Sequence, residues 1–295
     1  MTVRFGDAKL ILYIPLFFVA SHVQALLHEP KEGDVYEIVQ SYETSSTTNG
    51  DSSGSSSGHS ALIERVIRVD RGGVELEYDE PLEANGKRTG MNWQLPARIY
   101  RLKNGVPTLL NIAELEKRVD PWLKEAKLSR PACGHWIFTW NAFKIECDPA
   151  SALGIIEQFN LWPLSPAEGQ LYSDSKAMAD VPLKTKSSDS SGSVYIAEFE
   201  IDPQKVKIEK AESAVVISKI MKEEKSFEGA LAEQDNHQIS GTILVTIEVD
   251  SSGKITKRTK STKARIEANG EIETIQSSVI LKRNLLNSTD RAKPQ

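Results

Sequence analysis

Apolar and polar side chains alternate one by one along much of this chain. That is the period of a strand with one face on a core and the other in water. Residues 34–43, Asp-Val-Tyr-Glu-Ile-Val-Gln-Ser-Tyr-Glu, are rich in β-branched and aromatic side chains and predict a first strand. Residues 61–80 predict a hairpin: Leu62, Val66 and Val69 lead into Asp70, Arg71, Gly72 and Gly73, and Val74, Leu76 and Tyr78 lead out. Asp followed by Gly suits a type I turn closed by a residue of positive φ. Glu64, Arg65, Arg68, Glu75 and Glu77 interleave with these apolar positions, so they are expected on a wet face. Residues 92–102 predict another strand, which Pro96 places at an edge or a bulge. The most regular β region is 239–283. Ile243, Val245, Ile247 and Val249 alternate, and turns at 250–253 and at Asn269-Gly270 divide the region into a three-stranded meander.

Helical spacing is clearest in 111–127, where Ile112, Leu115, Val119, Trp122 and Leu123 recur on one face. Asn111 followed by Glu114 has the spacing of a capping box. Asp120-Pro121 predicts a kink or a second short helix. Asp148-Pro149 predicts a short helix through Phe159, and Ser226 caps another through Leu231. Residues 194–201 alternate as a strand. Lys and Glu in 204–225 favour helix, but Ala214 to Ile220 is apolar and β-branched, and we read 214–220 as strand. The Ser/Thr/Gly tracts at 44–60 and 186–193 lack groups to bury and predict loops. Ile-x-Val-Asp-x-x-Gly occurs at 67–73 and again at 247–253, from the needs of one turn type or from two related halves meeting near 165–170.

Both cysteines bracket residues 133–147, which also hold Trp136, Phe138, Trp140 and Phe143. The alternation predicts one strand with Trp136, Phe138 and Trp140 on one face. With Trp93 these aromatics are either ordinary core or the wall of a pocket for an acyl chain or an apolar protein segment. Cys133 and Cys147 are expected to form a disulfide. Adding His135 gives only three metal ligands where structural zinc takes four, so no metal is expected.

Composition sets the setting. The first 25 residues carry Arg4 and Lys9, an apolar run from Leu10 to Ala20 and small side chains at Val23 and Ala25, the layout of a cleavable signal peptide. The run is short for a bilayer span, and no second one of spanning length follows. The expectation is therefore a signal peptide over 1–25, one α+β domain over 26–286 and a loose tail over 287–295. Export also favours the disulfide. The net charge of −5 gives no electrostatic case for nucleic acid. Residues 253–295 nevertheless carry ten basic and four acidic side chains. Lys254, Lys257, Arg258, Lys260, Lys263 and Arg265 predict a solvated edge strand, or a surface for anionic lipid headgroups or sugar phosphates.

No nucleophile elbow, zinc-binding helix or phosphate loop accompanies His28, His59, His135 and His237, so no catalytic residue and no cofactor is assigned. The signal, the hairpin at 61–80, the helix at 111–127 and the meander at 239–283 together resemble the lipoprotein carriers of the bacterial envelope. The whole run also resembles secreted and periplasmic proteins of Gram-negative bacteria. The resemblance implies an α+β fold with a curved, mostly antiparallel, half-barrel-like sheet packed against a few helices. The aromatic stretch and the absence of a catalytic signature lead separately to the expectation of a periplasmic or secreted binding protein, with Trp93, Trp136, Phe138 and Trp140 as candidate ligand contacts. The partner would be a lipid, another apolar ligand or an envelope protein. A hydrolase of envelope polymers and an assembly protein are the alternatives.

Overall fold

A computed structural model describes residues 30–82, 92–102, 105–138, 142–161 and 166–286. The N-terminal part supplies β1 (Val35–Thr48), β2 (Asp51–Val69), β3 (Gly73–Asp79), β4 (Ala97–Leu102) and β5 (Thr108–Leu109), then helix α1 (Ile112–Glu125). A small hairpin of β6 (Trp136–Phe138) and β7 (Ala142–Lys144) precedes α2 (Ser151–Gln158) and the short pair β8 (Leu171–Tyr172) and β9 (Val181–Pro182). The C-terminal part supplies β10 (Lys184–Asp189) and β11 (Gly192–Glu200), helices α3 (Pro203–Met221) and α4 (Phe227–Ala232), then β12 (Gln238–Asp250), β13 (Ile255–Ala268) and β14 (Glu271–Leu285). Ten strands form one open antiparallel sheet, ordered β10-β11-β12-β13-β14-β1-β2-β3-β4-β5. The fold is α+β, as the alternation predicts.

Alternation decides which face meets the core. Along β12, Ile243, Val245, Ile247 and Val249 are buried, while Thr242 and Leu244 are exposed. Residues directly opposite one another share a face. The inner face therefore runs from Phe199 and Ala197 through Ile243 and Val245 to Leu281, Ile38 and Leu62. The helical layer and the segments around it pack on this face. The Gln40 amide donates to the Gln158 carbonyl at 2.9 Å, Lys210 Nζ to Glu273 at 3.1 Å, and Lys260 pairs with Asp174.

Several expectations are corrected. Residues 44–60 are strand, not a loop tip: β1 and β2 run on to a two-residue turn at Asn49-Gly50, whose φ values of 52° and 94° suit a tight hairpin. The Ser/Thr tract buries little, but β14 and β2 flank β1 and satisfy its main chain on both sides. Residues 186–193 are likewise strand around a turn at 190–191. Residues 214–220 are helix, because Asp202 caps α3 by accepting from Gln204 N at 2.9 Å and Pro203 starts it. Helix α1 runs unbroken through Pro121. Asn111 makes no side-chain cap; its Oδ1 accepts from Arg98 N at 2.9 Å and its amide donates to Pro96 O, tying the helix to β4. The Asp70 turn closes through the carboxylate, which accepts from Gly72 N and Gly73 N at 2.9 and 3.1 Å, without a positive φ at either glycine. The basic strand β13 is interior, between β12 and β14, and not an edge.

Glu64 is the largest departure. It lies between Leu62 and Val66 on the inner face and is 5% exposed. Arg283 of β14, 8% exposed, ion-pairs with it, and Tyr78 Oη donates to its other oxygen at 2.6 Å. The Arg283 guanidinium also lies 3.6 Å from the centre of the Tyr36 ring. Burial works against the charge on Arg283, but Glu64 outweighs it and holds the guanidinium's pKa above its ordinary value. Burial, reinforced by Glu64, pushes the Tyr78 hydroxyl far up. Removing one partner of a buried pair strands the other, typically costing about 3–5 kcal/mol. Arg283→Met is therefore expected to lose stability on that scale in urea unfolding. Glu64→Leu combined with Arg283→Met should lose less than Arg283→Met alone; equal or greater loss in the double variant would contradict this account.

Candidate ligand-binding face

Of the four aromatic residues singled out from the sequence, the side chains of Trp93 and Trp136 fall among those described. Trp93 is buried and 6.3 Å from the Trp122 ring of α1, where it closes the core. Trp136 is half-buried in β6, which α3 runs alongside. Phe138 belongs to the same strand, and Trp140 lies outside the described residues. The stretch 133–147 is a hairpin, not one strand, with Trp136 opposite Lys144 and Ile137 opposite Phe143. Cys133 and Cys147 are joined at its base, their Cα atoms 5.6 Å apart. Beside the bridge Gly134 N donates to Ile145 O at 2.7 Å and Ile145 N to His135 O at 2.9 Å. A bridge closing a loop of this length is worth about 3 kcal/mol through lost unfolded-state entropy. Replacing both cysteines by serine should lower unfolding free energy by about that amount. An unchanged denaturation midpoint would show that the hairpin holds without the bridge.

The described histidines form no catalytic set. His59 on β2 and His135 beside the disulfide are exposed. His237, between α4 and β12, has a buried Nδ1 without a hydrogen-bond partner. Burial, then the nearby Lys210 and Lys207 charges, hold its pKa below the ordinary value, with Glu273 acting weakly the other way. A folded-state pKa below the unfolded one means the unfolded chain takes up the proton first as pH falls. Stability from this group is therefore complete above the ordinary histidine range and lost on acidification through it. His237→Gln should narrow the stability difference between pH 7.5 and 5.5, measured by urea unfolding at each pH. An unchanged difference would remove His237 from the account.

Among the cavities of the described residues, two lie against the central strands. The first lies among Glu64, Tyr78, Arg101, Arg283 and Asn160, inside the sheet, with a volume near 10 Å³. That is about the room of one water molecule, and its charged walls are paired: Arg101 with Glu157 at 3.1 Å, Arg283 with Glu64. It is part of the scaffold.

The second is an open trough of about 360 Å³ on the outer face of the sheet. Strand register builds it as two rows. Glu43, Ser278, Ser261 and Leu244 stand opposite one another across β1, β14, β13 and β12; Ser45, Gln276, Lys263 and Thr242 form the next row. Neighbours within a row are about 4.8 Å apart and the rows lie about 7 Å from each other, as strand spacing and rise require. Its lining carries hydroxyls, the Gln276 amide and the charged Glu43 and Lys263, with Leu244 the apolar member at the β12 end of its row. Glu43 and Lys263 are exposed and make no ion pair among the described residues. Such a surface offers donors and acceptors at regular intervals, with one charge of each sign. Among the described residues no group of His, Cys, Asp and Glu is arranged to hold a metal.

No protein-family model and no curated protein matches this chain.

Sequence reasoning passed over the trough because its residues are individually ordinary. What brings Ser45, Ser261, Gln276 and Ser278 to one face is the register between strands far apart in the chain, which no local pattern carries.

Proposed function

We propose that this protein is an exported, non-enzymatic binding protein of the bacterial envelope, and that its ligand lies across the outer face of the sheet. The observation that carries the reading is the trough, a two-row array of hydroxyl and amide groups between Glu43 and Lys263. Its lining suits a polar, polyhydroxylated chain such as an envelope saccharide, whose own hydroxyls recur along its length, better than an acyl chain. Trp93, a candidate wall of an apolar pocket, is packed inside against Trp122. Export is supported by the charged start and short apolar run of residues 1–25 and by the Cys133–Cys147 bridge, a bond of oxidising compartments. No described helix is long and apolar enough to cross a membrane.

The test is titration of the purified protein with fragments of envelope polysaccharide and, separately, with a lipid-acid series, followed by amide chemical shifts. Shifts at Ser261, Lys263, Gln276 and Ser278 with saccharide alone are expected. Lys263→Ala with Gln276→Ala should weaken binding at least about tenfold, the loss of two net hydrogen bonds, one of them charged, while leaving unfolding unchanged. Shifts confined to Trp136 and its neighbours on adding lipid would overturn the saccharide reading in favour of an apolar ligand.

A further inference from the structure

Strand β2 is longer than the partner on its far side. It pairs with β1 from Asp51 to Arg65, but β3 begins to pair only at Ile63. Among the described residues, no strand covers residues 51–62 on the side away from β1. In an antiparallel ladder alternate residues turn their N–H and C=O to opposite sides. Val66 exchanges hydrogen bonds with Gly33 and Asp34 on the β1 side. In that phase Ser55, Ser57, His59 and Ala61 turn theirs outward. Sheet edges are ordinarily blunted by Lys, Pro or a bulge along their length. The outer edge strand β10 follows that practice, with Lys184, Lys186 and a register break at Lys186, and the opposite edge β5 is only two residues long. Residues 54–61, Gly-Ser-Ser-Ser-Gly-His-Ser-Ala, carry no Lys, Arg, Pro, Asp or Glu; the one register break lies nearer the tip, at Ser53.

We propose that this open stretch of β2 pairs antiparallel with the same stretch of a second copy, joining two sheets into one. Self-pairing is favoured over an unrelated partner because the tract is complementary to itself. Centred on Ser57, it sets Ser57 against its own counterpart, Ser55 against His59, and Ser56 against Gly58. No like charges meet and no bulky side chain faces another. The ladder ends near Ala61, where Asp79 takes Ile63. The two-fold axis of such a pair stands perpendicular to the sheet, so both outer faces, with their troughs, turn to the same side.

Sedimentation velocity of the purified full chain over a wide concentration range tests this. The expected result is a reversible dimer. Amide exchange at Ser55, Ser57, His59 and Ala61 should slow as concentration rises. Ser57→Lys, which places two ammonium groups face to face, should shift the dimer midpoint at least tenfold to higher concentration with an unchanged urea midpoint. Ser57→Pro, which deletes one outward N–H, should act in the same direction. Three results would each overturn the proposal: a wild-type monomer at every concentration, a dimer indifferent to both substitutions, or slow exchange at these amides in the monomer, which would place a segment of the same chain on the edge.

Discussion

The pairing of β1 with β14 holds the two parts of the sheet together. It runs from Tyr36 opposite Leu285 to Thr48 opposite Glu273, and the order of strands makes it the only ladder between β1–β5 and β10–β14. Everything else in the sheet is a meander of near neighbours, except the step from β11 to β12 over α3 and α4. At the buried end of this ladder Arg283 reaches across β1 to Glu64 on β2, with Tyr36 beneath the guanidinium and Tyr78 on the carboxylate. The pair fixes register as well as contact. Slipping β14 by one residue would turn Arg283 to the outer face, put Lys282 or Asn284 in its place, and break the Glu64–Arg283–Tyr36 arrangement. Toward the other end the β1 side of the ladder is all Ser and Thr, which specify register poorly. There the turns at Asn49-Gly50 and Asn269-Gly270 hold the strands in step.

Division of labour between the two faces follows from this arrangement. The inner face carries the core and the helices. The outer face, from Glu43 across to Thr242, is left to the solvent, and the trough forms there without any loop contributing a side chain. A site built on strands inherits their rigidity and spacing. Such a surface presents its hydrogen-bonding groups at the repeat of the strands and does not enclose them.

Alternation made the meander of 239–283, the hairpin of 61–80 and the helix at 111–127 legible, because each has a period that one side of a core enforces. The disulfide was legible from the absence of any other cysteine. What escaped had its cause outside the local stretch. The Ser/Thr tract of 44–60 is extended because its two arms pair with each other through the turn at Asn49-Gly50 and because β14, more than two hundred residues away, pairs with residues 44–48. Ala214 to Ile220 is β-prone by composition but belongs to a helix fixed at its start by Asp202 and Pro203. Glu64 looked like a wet-face residue because its partner lies in the final strand. The three Asp-Ser-Ser-Gly tracts make the same point. At 189–192 and 250–253 the Asp side chain accepts main-chain N–H groups and the chain turns, whereas at 51–54 the preceding Asn-Gly has already turned and the tract continues as strand.

The position of β14 in the sheet also governs when the molecule can be completed. Ribosomes make residues 35–109 well before residues 271–285, so the first five strands emerge with one side of β1 bare. That side stays open while the whole of the second part is synthesised. A nascent chain cannot finish its central ladder until β14 has been made. Assembly of this sheet is therefore tied to the end of synthesis, not to its beginning.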